Sequence, residues 1–227
     1  MGYDSSKHPT GTLRSHRRSI RLKDYDYSQQ GAYYVTSVAQ NRECLFGEVV
    51  NAEMILNGAG EMLRGHWLAL PERFPNVELD TCTAPNAVRC KCEFVILPNH
   101  FHGIAVITDK RTTMGKRATT RVAPTDGSCV GAPLVGVRSD DNNHDPVLGE
   151  IVGAWKSITT DEYIRGVSKL YWQPFDRKLW QRNYYEHIIR NEKDLDRIRK
   201  YIIDNPANWN EDTENPMNVN SKTRRSI

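Results

Sequence analysis

Apolar positions along the chain follow two periods, which predict strands and helices in alternation. Runs rich in aromatic and β-branched residues indicate strands at 32–39, 90–97, 100–107 and 184–189. Apolar residues three and four apart indicate helices at 59–70, 150–164 and from 191 to 206. The first six of these elements follow the βαββαβ order of ferredoxin-like folds. We therefore expect an α+β fold with an antiparallel sheet.

Turn and capping residues sharpen several of these boundaries. Pro98-Asn99 is a turn signal, so the strands at 90–97 and 100–107 are expected to form a hairpin. The last helix begins at Asn191, a good N-cap, and ends at Pro206. A short extended piece is expected at 47–50.

Three segments fall outside the pattern and divide the chain into parts. Residues 1–29 form a polar arm, and residues 110–147 carry no sustained periodicity, which predicts a flexible insert. The chain from Asn210 is polar and is expected to be disordered. The expected organisation is an arm at 1–29, one domain at 30–209 and a tail at 210–227.

Composition narrows the class of protein. The 227 residues carry a formal net charge of only +3, far from that of a histone-like protein. No run of about 18 apolar residues exists, so no membrane span is expected, and the first residues lack the apolar core of a secretory signal. Five cysteines, an odd count, are typical of reduced thiols rather than a disulfide framework. We expect a cytoplasmic protein.

The net charge is concentrated in the arm. Its six basic residues exceed its three acidic ones by three, which equals the excess of the whole chain. Such an arm can lie on phosphates or remain a solvated tail. The basic residues are Lys7, Arg14, Arg17, Arg18, Arg21 and Lys23.

Two motifs could carry chemistry. His100 and His102 point to the same face of a strand, so both imidazoles can reach one divalent metal, although His-x-His alone is weak evidence. Tyr201 and Asn205 are four apart on a helix and share a face. That pair is equally the pattern of a core tyrosine beside Ile198 and an Asn before a proline. Together, the motifs suggest a metal that polarises a phosphodiester and a tyrosine that attacks phosphorus.

The stretch from Phe94 to Ile104, with His-Phe-His at its centre, resembles the HUH motif (histidine, bulky hydrophobe, histidine) of single-tyrosine transposases. The likeness is to the REP-associated tyrosine transposases and runs from about residue 18 to 209. Several further motifs agree in order with that family, at 21–36, 41–47, 152–157, 180–187 and 201–206.

The resemblance implies a role for each matching residue. His100 and His102 correspond to the metal-binding histidines, Tyr201 to the nucleophile on a C-terminal catalytic helix, and Asn205 to a polar third ligand. The implied metal is Mg²⁺ or Mn²⁺. The implied substrate is single-stranded DNA with a hairpin, as in repeated palindromes, cleaved to a 5′-phosphotyrosine and a free 3′-hydroxyl. The implied assembly is a monomer or a homodimer, with Tyr201 acting in cis or in trans.

Alternatives remain at this point. Tyr184 and Tyr185 compete with Tyr201 as nucleophile, and the chain could instead be a non-catalytic hairpin-binding module or a metal-dependent phosphodiesterase that uses water. A positive groove with stacking rings would hold a single strand. Its candidate residues are Lys156, Trp180, Arg182, Arg190 and the arginines of the arm, Arg14, Arg17, Arg18 and Arg21.

Overall fold

In the computed structural model, the described residues are 25–80, 94–108 and 147–218. The strands are β1 (Gly31–Val38), β2 (Gly47–Val50), β3 (Glu53–Leu56), β4 (Val77–Leu79), β5 (Phe94–Ile96), β6 (His100–Ile107) and β7 (Tyr185–Ile189). The helices are α1 (Gly58–Leu68), α2 (Leu70–Arg73), α3 (Leu148–Leu170) and α4 (Glu192–Asp204), with 3-10 turns at Gln40–Arg42 and Pro206–Glu211.

One antiparallel sheet organises these elements. β1 lies between β7 and β6, and the far edge of β6 is shared by β4 and β5. The edge strand that the βαββαβ pattern requires is therefore divided into two short pieces. Every pairing is antiparallel, so the predicted α+β fold with an antiparallel sheet is confirmed.

The two faces of the sheet carry different helices, because side chains alternate along each strand. On one face, Phe101 of β6 contacts Trp67 of α1 and Trp155 of α3, with ring centroids 4.5 and 4.7 Å apart. The opposite face packs on α4 through a smaller cluster. Its buried members are Tyr34, Ile104, Ile198 and Ile202. His100 and His102 lie on this second face, between the sheet and α4.

A hairpin and a short helix were absent from the predicted order. β2 occupies the stretch expected to be extended, and it pairs with β3 through Asn51 and Ala52, both at positive φ. Two positive φ values are the geometry of a primed hairpin turn, usually formed by Asn-Gly. Because alanine stands at position 52, where glycine is usual, the sequence does not indicate this turn. The hairpin and α2 fill the connection between β1 and β4.

Both ends of the ordered domain extend beyond the expected bounds. Tyr27 is buried in the main core, so the folded domain begins before its predicted start at residue 30. The expectation of disorder from Asn210 is wrong for residues 210–218, where Asn215 is buried and its amide nitrogen donates to the carbonyl of Trp209. Residues 1–24 of the arm, 90–93 of the strand predicted at 90–97, 110–146 of the insert predicted at 110–147, and 219–227 of the tail lie outside the described residues.

Membrane insertion was tested on the helices of the described segments. None of them combines the length and the hydropathy that a bilayer crossing requires.

Gly103 is expected to be indispensable to the aromatic core. A methyl group there would come within 2.5 Å of Phe101 and 2.7 Å of Trp67, whereas nothing lies within 4 Å of a methyl group at Gly153 of α3. Gly103→Ala should lower the free energy of unfolding by about 1–3 kcal/mol because the core is overpacked. Gly153→Ala, the matched control, should raise it by about 0.5–1 kcal/mol. Urea unfolding measures both, and equal effects would contradict this packing.

Candidate metal and tyrosine site

The start of β6 places two imidazoles side by side under α4. His100 and His102 are buried, and their Nε2 atoms lie 3.0 Å apart. The Oδ2 atom of Asp212 lies 3.7 Å from Nε2 of His100. One ligand atom from each of these three residues lies within 4.8 Å of the others. This is the spacing of donors around one metal ion.

Asn99 fixes the tautomer of His100. The Asn99 amide nitrogen donates to the carbonyls of Arg42, at 3.0 Å, and Glu214, at 2.8 Å. Its Oδ1 atom is thereby turned toward Nδ1 of His100, at 2.8 Å. Because an amide oxygen only accepts, Nδ1 carries the proton and Nε2 keeps its lone pair. A metal-binding histidine is commonly oriented by an outer partner in this way.

His102 is held by β1, which pairs Thr36 with His102. Its Nδ1 atom contacts the hydroxyls of Tyr34, at 2.7 Å, and Thr36, at 2.8 Å. Burial lowers the pKa of His100 to about 3. Burial and the neighbouring His100 also lower the pKa of His102. Both imidazoles are therefore neutral at pH 7, the form that binds metals.

Tyr201 lies on α4 directly beside this pair. Its ring centroid is 5.4 Å from that of His102 and 6.3 Å from that of Tyr34, and nearly half of its surface is exposed. Burial raises the pKa of Tyr201, and the charge of Asp212 adds to that rise, while a hydrogen bond with Asn205 opposes it. The phenol is therefore protonated at neutral pH and must lose its proton to act as a nucleophile.

Asn205 is buried one helical turn beyond Tyr201. Its Oδ1 atom has no hydrogen-bond partner among the described residues, and leaving such an atom unpaired costs free energy. Asn205 and Asp212 together line a small cavity of about 220 Å³ next to Tyr201. The structure thus brings together the Tyr201 and Asn205 pair expected from sequence, and it leaves the Asn205 oxygen available.

Asp212 is the site residue that the sequence reasoning missed. It follows the 3-10 turn Pro206–Glu211, where its backbone N–H donates to the carbonyl of Trp209 at 3.2 Å. The ring centroid of Trp209 lies 5.9 Å from that of His100. Burial raises the pKa of the Asp212 carboxyl. No periodic pattern marks this acid, which lies in a polar segment expected to be disordered.

A cavity of about 440 Å³ joins these groups between the sheet and α4. Its lining includes His100, His102, Asp212 and Glu214, and also Tyr185, His187 and Arg197. Tyr185, a competing nucleophile by sequence, thus shares the cavity with Tyr201. Its ring lies beside Tyr34, with centroids 6.4 Å apart.

The residues predicted to contact DNA lie in different environments. Trp180 is not placed to stack on a base, because it is 4% exposed, packs on Phe46 and Trp155, and belongs to the core. The half-buried Lys156 donates through its ammonium to the carbonyls of Gln181 and Asn183, at 2.5 and 3.3 Å, and desolvation lowers its pKa to about 8. Arg182 and Arg190 are exposed. The arginines of the arm lie outside the described residues; they are Arg14, Arg17, Arg18 and Arg21.

Comparisons with family models and with solved structures give no likeness strong enough to decide the fold or the function. No model of a protein family matches the sequence. Among solved structures, a REP-associated tyrosine transposase bound to a REP hairpin is similar at 17% identity and a TM-score of 0.46, over 84% of this chain and 74% of that one. A candidate transposase of Deinococcus radiodurans R1 is similar at 13% identity and a TM-score of 0.34, over 81% and 95%. At these values neither likeness decides the fold or the function.

The sequence relative is an uncharacterized protein of Haemophilus influenzae (strain Rd). It is 37% identical to this chain over 198 residues, which cover 87% of this chain and 92% of the relative. Identity at this level over nearly the full length of both chains shows common descent and a shared fold. The chain therefore belongs to the same family as this Haemophilus influenzae protein.

Proposed function

We propose that the chain is a REP-associated tyrosine transposase, an enzyme that cleaves and rejoins single-stranded hairpin DNA through Tyr201 with a divalent metal. The observation that carries the proposal is the position of Tyr201, whose ring lies 5.4 Å from that of His102, within the same chain. A phenol half open to solvent beside two neutral imidazoles is a nucleophile next to a metal site. The sequence motifs quoted above support the family.

The residues present fit a divalent cation. His100 offers Nε2 because Asn99 holds the proton on Nδ1, Asp212 offers a carboxylate, and Asn205 has an unpaired oxygen. His100, His102 and Asp212 would hold the ion, with Asn205 beside them. Bound Mg²⁺ or Mn²⁺ supplies a Lewis acid that polarises a phosphodiester oxygen. Two imidazoles favour Mn²⁺, since Mg²⁺ prefers oxygen ligands.

The chain's own groups account for the chemistry at phosphorus. The Tyr201 oxygen attacks phosphorus and loses its proton, a P–O bond forms to the phenol, and the bond to the 3′-oxygen breaks. The 5′ end stays on the enzyme as a phosphotyrosine, and a 3′-hydroxyl is released. Because the phosphotyrosine keeps the energy of the broken bond, attack by a 3′-hydroxyl rejoins DNA without a nucleotide cofactor.

Tyr201→Phe should abolish covalent attachment to DNA, because the attacking oxygen is removed. The measurement is denaturing electrophoresis of protein incubated with Mn²⁺ and a hairpin oligonucleotide labelled on the 3′ side of the expected break. Tyr185→Phe, in the same cavity, is the matched control and should retain the adduct. Cleavage that persists in Tyr201→Phe without an adduct would instead support a phosphodiesterase that uses water.

Asp212→Asn should weaken Mn²⁺ binding by roughly tenfold or more, because the site loses its one charged ligand. Isothermal titration calorimetry with MnCl₂ alone measures this without any need for activity. Asp176→Asn, which removes the same charge from an exposed loop residue, is the control and should leave the affinity unchanged. An unaltered affinity in Asp212→Asn would place the third ligand elsewhere, with Asn205→Ala as the next variant.

His100→Ala should suppress cleavage while leaving hairpin binding close to that of the wild type. The reason is that His100 is fully buried, whereas the described cations expected to contact phosphates, Arg182 and Arg190, are exposed. Fluorescence anisotropy with a labelled hairpin gives binding, and the gel assay gives cleavage. His66→Ala on α1 serves as the control. Loss of binding together with cleavage would make His100 a structural residue.

A further inference from the structure

A third histidine faces the cavity from β7, which lies on the other side of β1 from β6. His187 lies on β7, where it pairs with Tyr34 of β1, so its side chain shares the sheet face of Tyr34 and His102. The imidazole is 37% exposed and lines the cavity that Tyr201 also lines. The proposed reaction assigns nothing to it.

Asp194 holds this imidazole in one orientation. The Nε2 atom of His187 lies 2.7 Å from Oδ2 of Asp194, while Arg197 donates to Oδ1 at 2.5 Å. The Asp194 backbone N–H donates to the side chain of Asn191, the N-cap of α4. Hydrogen bonds from His187 and Arg197 lower the pKa of the Asp194 carboxyl, so it is ionised at neutral pH.

The carboxylate determines which nitrogen of His187 is available. An ionised carboxylate only accepts, so Nε2 donates the proton in the bond to Asp194. That leaves Nδ1, which has no hydrogen-bond partner among the described residues and belongs to a ring exposed to the cavity. An imidazole oriented by a carboxylate through one nitrogen can exchange a proton through the other.

Tyr201 lies near the C-terminal end of α4, and Asp194, which holds His187 of β7, lies near its N-terminal end. Asp194, which holds His187, and Tyr201 are seven residues apart on one helix face, a rise of about 10.5 Å. In-line attack with the acid hydrogen-bonded to the leaving oxygen requires roughly 8 Å from nucleophile oxygen to acid nitrogen. Since side chains on a helix lean toward its N-terminus, the phenol of Tyr201 leans toward His187. The spacing along α4 and the shared cavity are therefore compatible with a phosphodiester held between Tyr201 and His187.

We propose that His187, positioned by Asp194, is the general acid that protonates the leaving 3′-oxygen when Tyr201 attacks. The inference rests on the proposed function and adds the residue that handles the leaving group. The imidazolium gives its Nδ1 proton to the oxygen as the P–O bond breaks and becomes neutral imidazole, while the phenolic proton of Tyr201 passes to water. In rejoining, the neutral imidazole takes the proton back from the attacking 3′-hydroxyl.

A purely structural role is the competing explanation, because the same ion pair ties α4 to β7. Substitution of His187 by glutamine distinguishes a structural role from general acid catalysis. The amide nitrogen of His187→Gln can take the place of Nε2 and donate to Asp194, but an amide does not ionise near neutral pH and cannot act as a general acid. The variant therefore keeps the tie between helix and strand and loses only proton transfer.

The test compares two hairpin oligonucleotides that differ at the scissile 3′ atom, oxygen in one and sulfur in the other. A thiolate leaves without protonation, so it does not need the acid. With the oxygen substrate, His187→Gln should form the tyrosine adduct about 100-fold or more slowly than the wild type. With the sulfur substrate, its rate should come close to that of the wild type. His100→Ala, the control, should be slow with both substrates.

Two results would overturn the assignment. A His187→Gln rate close to the wild-type rate on oxygen means that proton transfer does not pass through His187. Equal slowing on both substrates means that His187 acts only on structure. Failure of the proposed function has a separate signature, since the wild type would then form no adduct dependent on Tyr201 with either substrate.

Discussion

The alternation of side chains along β6 is the constraint on which the rest of the molecule depends. Phe101 turns to the face covered by α1 and α3, and His100 and His102 turn to the face covered by α4. A slip of one residue in the pairing with β1 would exchange the two sets and bury imidazoles in an aromatic core. The aromatic packing on one face therefore fixes the metal donors on the other.

Asn99, which directly precedes β6, also positions the groups of the metal site. Its amide reaches the carbonyls of Arg42 and Glu214 as well as the His100 ring, so one buried side chain links three distant parts of the chain. Leaving such buried groups unpaired would cost about 1–3 kcal/mol each. The segment that delivers Asp212 is held by the same residue, through Glu214. The tautomer of His100 and the position of Asp212 are therefore determined together.

The sequence allows prediction of what depends on local periodicity. The period of two at 100–107 gives β6 and its paired histidines, and the spacing of Ile198, Tyr201, Ile202 and Asn205 gives α4 and its inward face. Asp212 and the core position of Trp180 could not be read in this way, because both depend on long-range packing that no local pattern encodes. The β2–β3 hairpin was missed for a third reason, since Ala52 occupies a turn position usually filled by glycine.

The attachment of α4 differs in kind from that of the other long helices. α1 and α3 pack large aromatic side chains, among them Trp67 and Trp155, against the sheet. α4 buries Ile198 and Ile202, which contribute roughly 1.5–3 kcal/mol each, packs the partly buried Leu195 beside them, and forms ion pairs at its rim.

The rim pairs of α4 add orientation more than stability. Arg199 donates to both carboxylate oxygens of Asp80, at 2.8 and 3.2 Å, and this partly buried two-point contact fixes how α4 lies against the residue that follows β4. Local opening of a helix held this way costs less than unfolding the aromatic core. The fold thus keeps the histidines on β6, which is buried almost throughout, and carries Tyr201 on a helix that packs on the sheet through the smaller cluster. Such a division suits a nucleophile that must make room for a DNA strand while its metal donors stay in place.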